Sequence, residues 1–188
     1  NKKNKINLYI FTRRHEKSVG KVRLKKKVGK IIGANIYLYN LLKTIRIFYK
    51  DKRINLKICV NPDKATKEWP RYIFPKIERI AQGKGDIGIK MWNIINYDEK
   101  AKIIIGGDIQ NIRSQYITDV WKQLKNLDIV FGPSEDGGFW LIGVSKIRKL
   151  NFIFHDIDWN ADNTLSQVIF QIPPNISVGF ANTLKDID

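Results

Sequence analysis

Two acidic segments of this sequence stand where apolar runs give way to small residues. The first is Gly106-Gly107-Asp108, directly after the apolar stretch Lys102 to Ile105. A carboxylate such as Asp108 at a strand end can meet a magnesium ion whose other ligands are phosphate oxygens and water. Gly107 lets the backbone come close to such a ligand. The same segment also reads as a plain turn, because Asp tolerates turn geometry. The second segment runs from Gly132 to Gly143, with Glu135 and Asp136 before the pair Gly137-Gly138. Bare backbone at Gly137 and Gly138 can share a tight turn with a sugar or a phosphate, and Asp136 can bind a hydroxyl or a metal. Asp-Gly is equally a hairpin signal.

Two further segments suit anions. Lys21, Arg23, Lys25, Lys26 and Lys27 crowd the connection that begins at Thr12. Cations there can neutralise a diphosphate, and a guanidinium matches phosphate oxygens two at a time. For Lys25 to Lys27 a solvated charge run is the simpler reading. Gln82 to Met91 is a glycine-rich stretch, with Gly83, Gly85 and Gly88, that opens a helix. Free backbone N–H groups at a helix start suit an anion. No Gly-Lys-Ser/Thr closes the stretch, so it is not a P-loop, and Asp86 reads equally as a helix N-cap. His15 and His155 are the only histidines, and both read as surface or packing residues rather than general bases. Cys59 is the only cysteine and lies in the apolar run Leu56 to Val60. It reads as a small core residue and excludes an intramolecular disulfide or a cysteine metal cluster.

The elements that must position these groups alternate between strand and helix patterns, which indicates an α/β architecture. Strands are expected over Ile6 to Phe11, Asn55 to Val60, Lys102 to Ile105, Asp128 to Phe131, Phe139 to Val144 and Ile176 to Phe180. Helices are expected over Ile31 to Tyr49, Asp86 to Ile95 and Asp162 to Phe170, and from Ser114, as a cap, to Lys125. In the short helix, Ile87, Met91, Ile94 and Ile95 form the apolar side. Lys64 to Lys84 gives no clear pattern, because Trp69-Pro70 and Phe74-Pro75 interrupt it. The glycines and acids cluster where strands end, and open α/β sheets bind ligands at the carboxyl ends of their strands.

The length of 188 residues fits a single domain, read as 1–188. No apolar run reaches the roughly 18 residues that span a bilayer, and the start lacks a signal-peptide pattern, so the expected location is the cytoplasm. The net charge of +16 suits a polyanion. Nucleic acid is nevertheless the lesser candidate partner. The chain is rich in Lys, Ile and Asn together, which accounts for a lysine-decorated surface, and it carries no RNP-like strand, zinc spacing or basic zipper.

In this order, the segments resemble a bacterial family of glycosyltransferase-A-like (GT-A) proteins. Its members are described as arsenosugar-biosynthesis glycosyltransferases or as transferases associated with radical-SAM and selenodomain proteins. Gly132 to Gly143 is similar to the family's Gly-Pro-x-x-Asp-Gly-Gly-Tyr-Tyr-Leu-Ile-Gly, with Phe139 and Trp140 for the two tyrosines. Gly85-Asp86-Ile87-Gly88-x-Lys90-Met91 resembles its Gly-Asp-Leu-Gly-x-Arg-Met. Gly106 to Ile112 resembles its Gly-Ser-Asp-x-Pro-x-Leu, and Lys21-Val22-Arg23-Leu24 its Lys-Thr-Arg-Leu. Trp159 resembles a tryptophan that follows. His15 to Ser18 replace the family's Pro-x-Pro-Gly, Gly107 its serine and Gln110 its proline.

The resemblance implies a Rossmann-like GT-A fold of three α/β/α layers with a mostly parallel mixed sheet, related to the nucleotide-diphospho-sugar transferases. It implies a phosphate-binding set of Thr12, Lys21, Arg23, Gly85, Asp86, Gly88 and Gly107. Asp108 would be the metal-binding acid for Mg2+ or Mn2+. Asp136 would act on the acceptor, with Glu135 or Asp158 behind it, and Gly137, Gly138 and Trp159 would line the sugar and acceptor side. The first functional reading is transfer of a sugar from a nucleotide-sugar to a small-molecule acceptor. The second is a nucleotidyltransferase that joins an NTP to a phosphorylated acceptor and releases pyrophosphate. The third is a non-catalytic protein that binds nucleotide or RNA.

Overall fold

The computed structural model describes residues 5–13, 30–68, 76–145 and 150–185. The elements in chain order are β1 (Ile6–Arg13), α1 (Lys30–Tyr49), β2 (Ile54–Asn61), α2 (Ala65–Glu68), β3 (Glu78–Ala81) and α3 (Ile87–Ile95). They continue with β4 (Lys102–Gly106), α4 (Ser114–Gln123), β5 (Ile129–Pro133), β6 (Phe139–Val144), α5 (Thr164–Phe170) and β7 (Val178–Phe180). Among the described residues the strands form one seven-stranded sheet in the order β3-β2-β1-β4-β6-β5-β7. β1 runs parallel to β2 and β4, β2 to β3, and β5 to β7. Only β6 runs against its neighbours β4 and β5.

Strand alternation sends residues to two cores. On one face Leu8, Ile10, Ile103 and Ile105 pack with Leu41, Ile45 and Phe48 of α1 and with Ile117 and Val120 of α4. On the other, Tyr9, Phe11, Ile104 and Ile142 pack with Met91, Ile94 and Ile95 of α3 and Val168 of α5. The outcome is the expected three-layer α/β/α arrangement with a mostly parallel mixed sheet. Cys59 lies fully buried in the second core, and burial pushes its thiol pKa far up, as suits an inert core residue.

Several expectations are corrected. Ser114 does not cap α4. The helix starts on it, Arg113 holds the cap position without a side-chain bond, and the Ser114 hydroxyl instead donates to Asp51 Oδ2 at 2.7 Å. Ile87 is exposed while Gly88 is buried beside it, because α3 turns its smallest residue toward Phe154 and Trp159. The unclear region conceals α2 and the edge strand β3. β3 pairs Glu78 to Ala81 with Lys57 to Val60 and needs only four residues.

Charged groups anchor the edge of the sheet where the strands begin. Lys102, the first residue of β4, is 1% exposed. Its Nζ donates to the carbonyls of Ile94, Ile95 and Asp98 at 3.1, 2.9 and 2.8 Å and pairs with Asp98 Oδ1 at 3.0 Å. A cation thus finishes the carboxyl end of α3, where the helix dipole favours it. Burial lowers the Lys102 pKa, and Asp98 opposes that shift. Burial also works against the Asp98 carboxylate, but the Lys100 N–H and the Lys102 ammonium outweigh it and hold its pKa down. Asp51 accepts from Arg53 Nε at 2.9 Å and Nη2 at 2.6 Å. That guanidinium, with the Ser114 hydroxyl, overcomes partial burial and keeps the Asp51 carboxyl well below the usual carboxylate range.

Both carboxylates have folded pKa values below their unfolded ones. In the acid window the unfolded chain therefore binds more protons, and stability falls as pH falls. Urea unfolding should show a free energy that is steady above the ordinary Asp pKa of about 4 and declines below it. Asp51→Asn should lower stability near neutral pH and flatten that decline; an unchanged acid slope would contradict this account.

Candidate active site

The sheet changes direction between β1 and β4. From β1 the chain builds outward through β2 and β3 on one side, and β4 starts the other side. Ligands of open α/β sheets bind outside the carboxyl ends of strands at such a switch. Phe11 of β1 is in register with Gly106 of β4, so Thr12 and the pair Gly107-Asp108 continue past the same line. β6 runs antiparallel to β4 with Leu141 opposite Ile105, and its first residue, Phe139, pairs with Pro133 at the end of β5. The turn 134–138 therefore lies on the same edge as Asp108.

That turn is the hairpin its Asp-Gly signal suggested, and it is tightly determined. Ser134 N donates to Gly138 O at 3.0 Å and Gly137 N to Ser134 O at 3.1 Å. The Gly138 N–H donates to Asp136 Oδ1 at 3.0 Å, so one carboxylate oxygen shapes the turn. Asp136 and Glu135 are both exposed. Gly137 has φ +85°, and a Cβ there would stand 1.6 Å from the Asp162 carbonyl oxygen. Leu165 N, in the first turn of α5, donates to Gly137 O at 3.0 Å. Only glycine permits this seating of the turn on the start of α5.

An aromatic wall stands behind it. The Trp159 ring lies 6.4 Å from Phe139 and 5.9 Å from Phe154, centroid to centroid. A Cβ at Gly88 would come within 2.6 Å of Phe154 and 2.7 Å of Trp159. Gly88 thus brings the start of α3 against the wall. Trp159 Nε1 is shielded from solvent and has no hydrogen-bond partner among the described residues. Asp158 lies exposed beside it and accepts from Asn160 N at 3.0 Å.

The glycine-rich stretch shapes a helix start. Gly83 and Gly85 take positive φ values of 82° and 105°. Asp86 Oδ1 accepts from Ile89 N at 2.8 Å as the N-cap of α3. Its carboxylate fills the position that favours an anion at a helix N-terminus. Gly107 is buried, and a Cβ there would press on Leu41 at 2.9 Å and on the Phe11 carbonyl at 3.1 Å. Thr12 is buried as well, its hydroxyl 3.0 Å from the Tyr37 hydroxyl.

Thr12, Gly107, Asp108, Glu135, Asp136, Gly137 and Gly138 thus share one edge. Gly88 and Trp159 touch each other in the wall, and Gly85 and Asp86 form the entry to α3. Lys21, Arg23 and His15 lie outside the described residues. His155 packs its ring edge-on against Phe152 at 4.7 Å, the packing role read for it in the sequence. Among the described residues no three His, Cys, Asp or Glu side chains gather as a metal site.

Residues 44–161 match a bacterial family described as an uncharacterized protein conserved in bacteria, DUF2064. The chain belongs to this family. Its fold is similar to that of a protein from Desulfovibrio desulfuricans G20 assigned to the nucleotide-diphospho-sugar transferases, with a TM-score of 0.80 at 22% identity over 97% of this chain and 81% of that one. It is also similar to inositol-1-phosphate CTP transferase of T. maritima, with a TM-score of 0.55 at 11% identity, over 99% and 90% of the two chains. A third similar structure is glucosyl-3-phosphoglycerate synthase of Mycobacterium tuberculosis in complex with Mn2+, UDP and glucosyl-3-phosphoglycerate, with a TM-score of 0.52 at 8% identity, over 97% and 71%. No curated protein sequence matches the chain. The fold is that of the GT-A-like nucleotide-diphospho-sugar transferases, as the motifs implied.

Two features of this DUF2064 site escape sequence reading. Gln82, 4% exposed, donates through Nε2 to the carbonyls of Thr12 and Cys59 at 2.9 and 2.8 Å. It joins the ends of β1 and β2, and no residue-type signal marks it. The segment 182–185 bridges the two acidic loops: Gln110 N donates to Lys185 O at 3.0 Å and Glu135 N to Leu184 O at 3.2 Å.

Gly137→Ala tests the seating of the turn. The added methyl would overlap the Asp162 carbonyl, so the turn or α5 must move at a cost on the order of 3 kcal/mol or more. Gly138→Ala, whose Cβ would meet only the Asp136 carboxylate at 3.2 Å, should cost far less. Equal unfolding midpoints for the two variants would contradict the geometry.

Proposed function

We propose that the protein is a transferase that moves a sugar from a nucleotide-sugar to a small-molecule acceptor with the help of a divalent cation. The observation that carries this reading is the convergence of Asp108 and the Glu135–Gly138 turn on the carboxyl edge at the β1/β4 switch. The similar fold of a synthase bound to Mn2+ and UDP supports it.

The donor set suits a cation that arrives with its nucleotide. Asp108 offers a hard carboxylate oxygen, and no ready-made cluster of acids or histidines surrounds it among the described residues. Mg2+ and Mn2+ accept one or two carboxylates and take their remaining ligands from phosphates and water. Asp108 would hold such an ion, which supplies charge neutralisation of the leaving diphosphate. Gly107, packed against Leu41 and the Phe11 carbonyl, would hold Asp108 close to the end of β1 rather than face the diphosphate itself. Lys21 and Arg23 belong to the proposal as further phosphate-binding cations. The free oxygen of Asp136 orients or deprotonates the acceptor hydroxyl, with Glu135 beside it. Gly138 would leave room for the sugar beside the Asp136 carboxylate, while Gly137 seats the turn on the start of α5.

The similar fold of inositol-1-phosphate CTP transferase favours a second reading, nucleotidyl transfer. The same groups would then stabilise charge at the α-phosphate of an NTP, and pyrophosphate would leave. Products separate the two. Free nucleoside diphosphate identifies sugar transfer, and pyrophosphate identifies nucleotidyl transfer.

A thermal-shift screen of nucleotides and nucleotide-sugars with and without Mn2+ should find a ligand whose stabilisation depends on the metal. Asp108→Asn should remove that dependence, and Asp136→Asn should slow turnover by about 100-fold while leaving nucleotide binding in place. If Asp108→Asn binds the ligand with the same metal dependence, the assignment fails.

A further inference from the structure

Away from the acidic turn, α1 and the loop that follows Asp108 enclose a cavity of about 230 Å³. Its floor is apolar, formed by Ile47, Ile109 and Ile112. Its polar lining includes Lys43, Thr44, Asn111 and Arg113. The Thr44 side chain is 2% exposed and makes no hydrogen bond in the described structure. A helical Thr commonly donates to the carbonyl four residues back, as Thr118 does to Ser114 at 3.1 Å. Thr44 leaves that bond unmade and turns up at the cavity instead. Among the described residues, Lys43 and Arg113 have no carboxylate within ion-pair distance and the Asn111 amide has no hydrogen-bond partner. Two cations, an amide and a hydroxyl therefore line one concave space, and among the described residues none of its lining groups is acidic.

We infer that this cavity is a binding site for a small oxyanion, the phosphate or carboxylate head of a metabolite. Arg113 offers paired donors to two oxygens, Lys43 a point charge, and Thr44 and Asn111 neutral donors. Ligand pockets for drug-sized molecules start at about 300 Å³, so the space suits a headgroup and a short apolar tail over the isoleucines, not a nucleotide. The site is separate from the one proposed to bind a nucleotide, and the loop 109–113 connects the two in sequence, five residues from Asp108 to Arg113.

The test is a titration of the whole chain at constant ionic strength, followed by amide NMR, with inorganic phosphate in one arm and malonate in the other. Shifts at Asn111, Arg113 and Thr44 should saturate with a Kd on the order of 1 mM, and chloride should produce none. The arm that saturates names the headgroup. The double variant Lys43→Gln with Arg113→Gln changes two exposed side chains and should unfold at the wild-type urea midpoint. It should bind the anion at least about tenfold more weakly. Absence of saturable shifts in both arms, or equal affinity in the double variant, overturns the inference. Asp108→Asn should keep the anion shifts, and the double variant should keep any metal-dependent nucleotide binding, so failure of either site is distinguishable from failure of the other.

Discussion

The carboxyl edge of this sheet must end without leaving backbone groups unsatisfied and without closing the crevice. Every buried N–H and C=O needs a partner, yet the strand ends at β1 and β4 must stay accessible if a ligand is to reach them. The structure meets both demands with two devices. The Gln82 amide reaches across from the end of β3 and satisfies carbonyls of Thr12 and Cys59 from within the core. The segment 182–185 runs along the opposite side and satisfies the loops that carry Asp108 and Glu135. Losing Gln82 would remove two hydrogen bonds to buried carbonyls, each worth about 1 kcal/mol net, and would loosen β1 against β2 beside Thr12.

The same demand explains the glycines. Gly107 and Gly137 sit where another chain segment already occupies the space of a Cβ: the Phe11 carbonyl and Leu41 at the first, the Asp162 carbonyl at the second. Gly88 does the same for α3 against Phe154 and Trp159. In sequence these residues suggest backbone exposed to a ligand. In the fold, Gly88 is spent on packing, and the two others let elements approach closely enough to bring the acids to one edge. Asp86 shows the same economy, since its carboxylate caps α3 rather than waiting for a partner.

Much of the fold was legible because it rests on local patterns. The apolar runs Ile6 to Phe11 and Phe139 to Val144 are buried from both faces and read as strands without ambiguity. The Asp-Gly hairpin and the Asp86 cap both announced themselves by residue type. The short edge strand β3 did not, because four residues with one alternation give a weak signal and two prolines precede it. Ser114 misled for a physical reason: the helix begins on it and Arg113 takes the cap position, so its hydroxyl sits one residue too far along to cap and donates to the ionised Asp51 instead. Long-range clamps such as Gln82 and the 182–185 bridge join residues far apart in sequence, and residue types alone do not pair them. At the candidate site, order and spacing identified which segments would meet. They could not say which glycines another segment of the chain presses against.

The distribution of charge bears on how a ligand would be held. Asp108 and Asp136 stand on an edge of a chain whose net charge is +16, so the surrounding field favours an anionic ligand even before any specific contact forms. A single carboxylate near the switch point is a poor cage for a free cation but a sufficient anchor for one already bound to phosphates. Under the proposed function the cation and the nucleotide would therefore bind as a unit, each lowering the cost of seating the other. The long-range field would speed the approach of the complex, and the strand-end geometry would select its orientation. Under that reading the acids at the edge and the net positive charge of the chain serve one site, rather than signalling a metal centre and a polyanion surface separately.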